Sequence, residues 1–149
     1  MENLRGMFQI MTRRFGLLNK NCCTVGGCDL SLIQSHILYE IDNQNKPSMQ
    51  QIAETLGTDI TTFSRQVQSL VKMNLIKKTP DPSDKRISIL SLTTEGKYIA
   101  TTIDQQMNAF LNKVFSQMKE FEKDTVICSI QLLTNAMAKS SACCNPLQG

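Results

Sequence analysis

The sequence predicts a mainly α fold with one small β-hairpin set between its helices. Three observations predict it. Apolar residues recur at spacings of three and four through most of the chain, the period of an amphipathic helix. Ser31 with Gln34, and Ser48 with Gln51, form Ser-x-x-Gln pairs ahead of apolar runs; such pairs satisfy the free amides of a helix start. The stretch 75–92 breaks the helical period and reads as two strand-like runs around Pro80-Asp81-Pro82-Ser83-Asp84.

Within 1–20, Leu4, Phe8, Met11, Phe15 and Leu18 mark a first helix. Asn19 to Gly27, with Gly26 and Gly27, breaks it and reads as a loop. A second helix is expected from Ser31 to Asn43, with Ile33, Ile37, Leu38 and Ile41 as its stripe. Asn43 to Pro47 is a polar turn. After Ser48 comes a short third helix bearing Ile52, Ala53 and Leu56, ended by Gly57 as a C-cap. Asp59 can cap a fourth helix, running to about Met73. Of the hairpin's second run, 85–92, Ile87, Ile89 and, less regularly, Leu90 should face inward, and Ser88 and Ser91 outward. Thr94 to Lys119 reads as a long helix striped by Ile99, Ile103, Met107, Phe110, Leu111, Val114 and Met118. Glu122 to Ala138 reads as the last helix, with Val126, Ile130, Leu133 and Met137. The polar tail 140–149 contains Pro146 and is expected to be loose.

The 149 residues suit a single domain with its own core. Hydrophobic residues make up 41% and Trp is absent, an ordinary globular balance. The formal net charge is +3, which permits a nucleic-acid partner without requiring one. No run of about 18 apolar residues could cross a membrane. The N-terminal stretch lacks the apolar centre of a signal peptide, so the expected location is the cytoplasm. An enzyme is disfavoured. The chain has one histidine, His36, placed beside an apolar stripe and read as partly buried. It also has no phosphate-binding glycine loop and no His-Glu-x-x-His zinc motif.

A short helix, a tight turn at Gly57-Thr58-Asp59 and a second helix make a helix-turn-helix. The hairpin behind it makes a winged helix-turn-helix spanning 31–93. At about 100° per residue, Ile60, Phe63, Val67, Leu70 and Val71 cluster on one side of the fourth helix. Thr61, Arg65, Gln68 and Lys72 lie opposite, with Thr62 and Ser69 beside them. No acidic residue occurs from Ile60 to Lys78. These types suit duplex DNA. Arginine bonds guanine in a fork, glutamine pairs with adenine, and the threonine methyl meets thymine. Helix-end amides and hydroxyls can hold phosphates. A solvated face would look similar. The basic hairpin directly behind, with Lys77, Lys78, Lys85 and Arg86, favours DNA, because a cationic β tip fits the negative potential of a narrow minor groove.

Gly57-Thr58-Asp59-Ile60-Thr61-Thr62-Phe63-Ser64-Arg65, Leu75-Ile76, Asp84-Lys85-Arg86 and Leu92-Thr93-Thr94-Glu95-Gly96 resemble the MarR-type regulators, the multiple-antibiotic-resistance regulator family. The resemblance covers nearly the whole chain. It implies a transcriptional regulator, usually a repressor, working as a homodimer held by the helical regions 1–20 and 94–139. It implies that Arg86 enters the minor groove with Asp84 orienting it, and that Ser64 and Arg65 lie on the recognition helix. A two-fold dimer would read a pseudo-palindromic operator with half-sites about one helical turn, ~34 Å, apart. An effector would then shift the dimer away from its DNA-compatible shape.

Six cysteines are many for a reducing compartment. Cys22, Cys23 and Cys28 precede the second helix, and Cys143 and Cys144 follow the last. Their clustering at loop-like positions suggests a thiol effector site. No obligatory cofactor is expected. All-thiolate ligation suits trivalent arsenic or antimony, or another soft metal ion. Direct thiol oxidation and a small phenolic or aromatic effector are the alternatives. A thiol protein that stores metal without binding DNA is the remaining one, and it would not need the basic hairpin. Cys128, inside the last helix, reads as a packing residue.

Overall fold

The computed structural model describes residues 3–16 and 23–140. The elements are α1 (Leu4–Phe15), β1 (Cys23–Val25), β2 (Cys28–Leu30), α2 (Leu32–Asn43), α3 (Met49–Leu56), α4 (Ile60–Lys72), β3 (Ile76–Pro80), β4 (Ser88–Leu92), α5 (Thr94–Phe115) and α6 (Glu120–Lys139). They group into two compact units divided between Asp104 and Gln105.

The first unit holds the buried core. Ile37 and Leu38 of α2, Ile52 of α3, and Phe63, Val67 and Leu70 of α4 are almost wholly out of water. Leu75, Ile76 and Leu90 close this core from the β3–β4 side, and Ile99 from the start of α5. Burial of a side chain of this size contributes roughly 1.5–3 kcal/mol, so the three-helix arrangement is fixed mainly by these contacts.

Helix ends follow the polar residues that flank them. Ser31 and Ser48 accept from the backbone N–H of Gln34 and Gln51, and each glutamine accepts in return from the serine's backbone N–H. α3 stops at Gly57, whose φ of 63° is left-handed and costs glycine nothing. Its N–H and that of Thr58 donate to the carbonyls of Glu54 and Ala53.

β1 and β2 correct the expected loop. Cys23, Thr24 and Val25 pair antiparallel with Leu30, Asp29 and Cys28. Gly26 and Gly27, at φ 57° and 80°, make the two-residue turn that matches strand twist. Val25 and Leu30 are buried, and on the other face Thr24 Oγ1 donates to Asp29 Oδ1 at 2.8 Å. The Gly-Gly signal was present in the sequence, but three-residue strands are too short to show alternation.

β3 and β4 form the wing, in register from Ile76 opposite Leu92 to Pro80 opposite Ser88. The turn between α2 and α3 joins it: Leu90 N–H donates to the Pro47 carbonyl at 2.9 Å, and Ser48 bridges Ile89. The second strand is shorter than expected. Lys85, Arg86 and Ile87 belong to the tip, so Ile87 is exposed rather than inward, and Leu90 is the buried residue of β4.

α5 ends at Phe115 and α6 begins at Glu120, where the Lys119 N–H donates to the Glu122 carboxylate at 2.8 Å. Neither α1 nor α6 buries a residue within the single chain. Leu4, Phe8, Met11 and Phe15 of α1, and Phe121, Ile130, Leu133 and Met137 of α6, are exposed. No helix among the described residues is long and apolar enough to cross a membrane. His36 is exposed, not partly buried.

Candidate nucleic-acid interface

α3, the Gly57 turn and α4 form the helix-turn-helix. Asp59 caps α4 by accepting from the Thr62 N–H at 2.9 Å. That bond, with a lesser one from the Thr62 side chain, holds the Asp59 carboxyl below its ordinary range. The cap occupies an amide that could otherwise meet a phosphate, and adds a negative charge at the same end.

Phe63, Val67 and Leu70 anchor α4. Thr61, Thr62, Arg65, Gln68 and Lys72 are exposed, as their helical phase requires. Ser64 and Ser69 are half-buried. Ser69 Oγ accepts from the Gln34 side chain of α2 at 3.3 Å, so it ties α4 to its neighbour. Ile60 and Val71, expected to face inward, are 55% and 41% exposed. The outward face is therefore turned away from Ser69 and towards Ile60 and Val71. The reason is the position of α2, which covers the Ser69 edge and which a helical wheel cannot include.

At the wing tip, Arg86 donates from Nε to Asp84 Oδ1 and from a terminal nitrogen to Asp84 Oδ2, both at 3.1 Å. The Arg86 backbone N–H also donates to Asp84 Oδ1 at 3.1 Å. The fork raises the Arg86 pKa, and its side-chain and backbone donors lower that of Asp84. Both groups are charged at neutral pH. The Arg86 side chain remains 90% exposed while one edge of its guanidinium is held. Ser83 N–H donates to Asp81 Oδ1, and Asp81 N–H and Ile87 N–H donate to the carbonyls of Ile87 and Asp84. The tip is thus closed on itself. Lys77, Lys78 and Lys85 are exposed along it.

The wing's far end is held by the Leu-Thr-x-x-Gly segment. Thr93 Oγ1 donates to the Asn74 carbonyl at 2.7 Å and accepts from the Gly96 N–H at 2.9 Å. The Thr93 N–H donates to the Leu75 carbonyl at 3.0 Å. This threonine starts α5 and seals the end of α4 together. The motif was visible in the sequence; the bond from Gln34 to Ser69 and the exposure of Ile60 were not.

Of the cysteines, Cys23 stands opposite Leu30 and Cys28 opposite Val25. Cys28 is half-buried against the core. Both are strand residues, not loop residues. Cys22, Cys143 and Cys144 lie outside the described residues. Cys128 is exposed on α6 within the single chain rather than packed. No group of three or more potential metal ligands occurs among the described residues.

The fold and this geometry define a winged helix-turn-helix, and residues 30–88 match the model of the MarR family. The chain is 33% identical over 85 residues to the uncharacterized HTH-type transcriptional regulator YxaD of Bacillus subtilis (strain 168), covering 57% of each chain. The match thus spans little more than half of that relative's length. Solved structures share the fold over most of the chain. FabT of Streptococcus pneumoniae in complex with DNA is 18% identical, with a TM-score of 0.76, over 91% of this chain and 92% of its own. The MepR–DNA complex of S. aureus is 19% identical, with a TM-score of 0.76, over 91% of this chain and 99% of its own.

Proposed function

We propose that the chain is a DNA-binding transcriptional repressor that acts as a homodimer on a pseudo-palindromic operator. The observation that carries this reading is the wing-tip fork, in which Asp84 holds one edge of Arg86 and leaves its charge facing solvent. A cation held in this way suits a narrow minor groove. The exposed Thr61, Arg65, Gln68 and Lys72 suit the major groove. Both FabT and MepR, which share the fold, are DNA complexes. The exposed apolar faces of α1 and α6 support self-association, since such faces mark interaction sites.

The effector is proposed to be a soft thiophile, trivalent arsenic or antimony before other soft ions, taken by Cys22, Cys23, Cys28, Cys143 and Cys144. Its support is the cysteine clustering and the packing of Cys28 against the core that the helix-turn-helix shares, through which ligation could move those helices. Fluorescence anisotropy of the reduced protein on a duplex selected from a random library tests both readings. Sequence-specific binding is expected, with release by arsenite that is lost in Cys22→Ser and Cys23→Ser. Release by peroxide alone, reversed by a thiol reductant, replaces metalloid ligation with oxidation. A complex indifferent to both points to a phenolic or aromatic effector. Absence of any selected sequence overturns the regulator reading itself.

A further inference from the structure

We infer that Ile60 is a specificity-determining residue of the recognition helix, reading the 5-methyl group of a thymine in the major groove. The inference rests on the DNA-binding reading above and assigns a base contact within it. Ile60 is the first residue of α4. It is 55% exposed and is absent from the apolar residues packed on the core. An isoleucine more than half exposed at a helix start, where its β-branch gains no helix propensity, gains little packing from the chain itself.

Its neighbours point to a base edge. The first residues of a recognition helix are those that reach base edges. Phosphate capture is disfavoured at this end, because Asp59 occupies the Thr62 amide and brings its own negative charge. At about 100° per residue, Ile60 shares an edge with Ser64 and Val71. Val71 is 41% exposed and Ser64 half-buried. This edge adjoins the exposed Thr61 and Gln68, whose hydrogen bonds suit adenine or its partner thymine. The opposite edge, at Ser69, is closed by Gln34. Among the major-groove edges, the thymine methyl is the one apolar group, and it is the natural contact for an exposed isoleucine.

The test pairs a protein change with a single-methyl change in the DNA. Wild-type and Ile60→Ala proteins each select sites from a randomised duplex library. Deoxyuridine then replaces each selected thymine, which removes only the methyl. At one symmetric position the replacement is expected to weaken wild-type binding about fourfold per half-site, the worth of one buried methyl. Ile60→Ala should bind thymine and uracil duplexes equally and should accept other bases at that position. Alanine favours the helix, and an unchanged Tm shows that the fold is kept. Equal uracil sensitivity in both proteins, or identical selected sites, overturns the assignment while leaving the regulator reading intact. If wild type selects no sequence at all, both fall together.

Discussion

The carbonyl oxygen of Leu75 occupies the space that a Cβ on Gly96 would need. The obstacle is backbone, so it cannot swing aside. The approach is this close because Thr93 pulls the start of α5 onto the end of α4, through the Asn74 and Leu75 carbonyls. Gly96→Ala must push these segments apart. The expected loss is about 1–3 kcal/mol, as in other overpacked sites, seen as a Tm lower by several degrees. A Tm equal to wild type would show that α5 can retreat freely.

Thr93→Val tests the same junction by chemistry instead of volume. The shape is kept, but the Asn74 carbonyl and the Gly96 N–H each lose a partner. A buried group left unpaired costs about 1–3 kcal/mol, and urea denaturation would measure it. Thr93→Ser retains the hydroxyl and should stay nearer to wild type than valine does.

The wing makes a different kind of prediction. Arg86→Ala should weaken DNA binding with only a small loss of Tm, because the side chain is exposed and a surface ion pair contributes little. The slope of log affinity against log salt should fall by about one. Asp84→Ala should weaken binding less, by freeing a guanidinium that is still present. Arg65→Ala should cost about 1–3 kcal/mol of specific binding and relax the preference at one base pair. Equal losses on specific and random duplexes for Arg65→Ala would place it on phosphate instead.

Ser69 separates positioning from contact. Its hydroxyl accepts from Gln34, so Ser69→Ala should lower stability by about 0.5–1.5 kcal/mol. Its salt slope on DNA should match wild type. A changed slope with unchanged stability would mean that Ser69 meets phosphate.

The acidic caps set a pH dependence. Asp59 and Asp84 both titrate below their ordinary value of 3.8, the first through its bonds from Thr62 and the second through Arg86. A lowered folded-state pKa favours the folded chain above the unfolded value. That contribution is complete above about pH 5 and is lost as pH falls through and below 3.8. Carboxyl carbon shifts followed by NMR should give midpoints under 3.8 for both groups. In Arg86→Ala the Asp84 midpoint should rise while that of Asp59 stays. A midpoint for Asp59 at or above its ordinary value would show that the cap is not formed in solution.

The parts of the fold legible in the sequence are those set by local chemistry. Ser31, Ser48, Asp59 and Gly57 mark their helix ends because each cap involves residues within three or four positions. The Asp84–Arg86 fork is equally local. What escaped reading depends on distant neighbours. Ser69 looked outward until α2 covered it with Gln34, and Ile60 and Val71 looked inward because the wheel assumed a symmetric apolar arc. The β1–β2 hairpin was missed for a different reason, since its strands are too short to display a period. Likewise Ile87 passed for a strand residue because the tip extends further than the Pro-Asp turn suggested.

The wing is tied at both ends. Its root is held by Thr93, its second strand is bonded midway to the Pro47 carbonyl through Leu90, and its tip is closed by Asp81, Asp84 and the Ile87 backbone. Such a finger has little freedom left to lose when it docks, so more of its contact energy appears as affinity. The same stiffness acts as a gauge. A wing that cannot flex suits a duplex whose minor groove already has the matching width, or can be brought to it cheaply. Base pairs under the tip would then be selected by their pliability, without any side chain touching them.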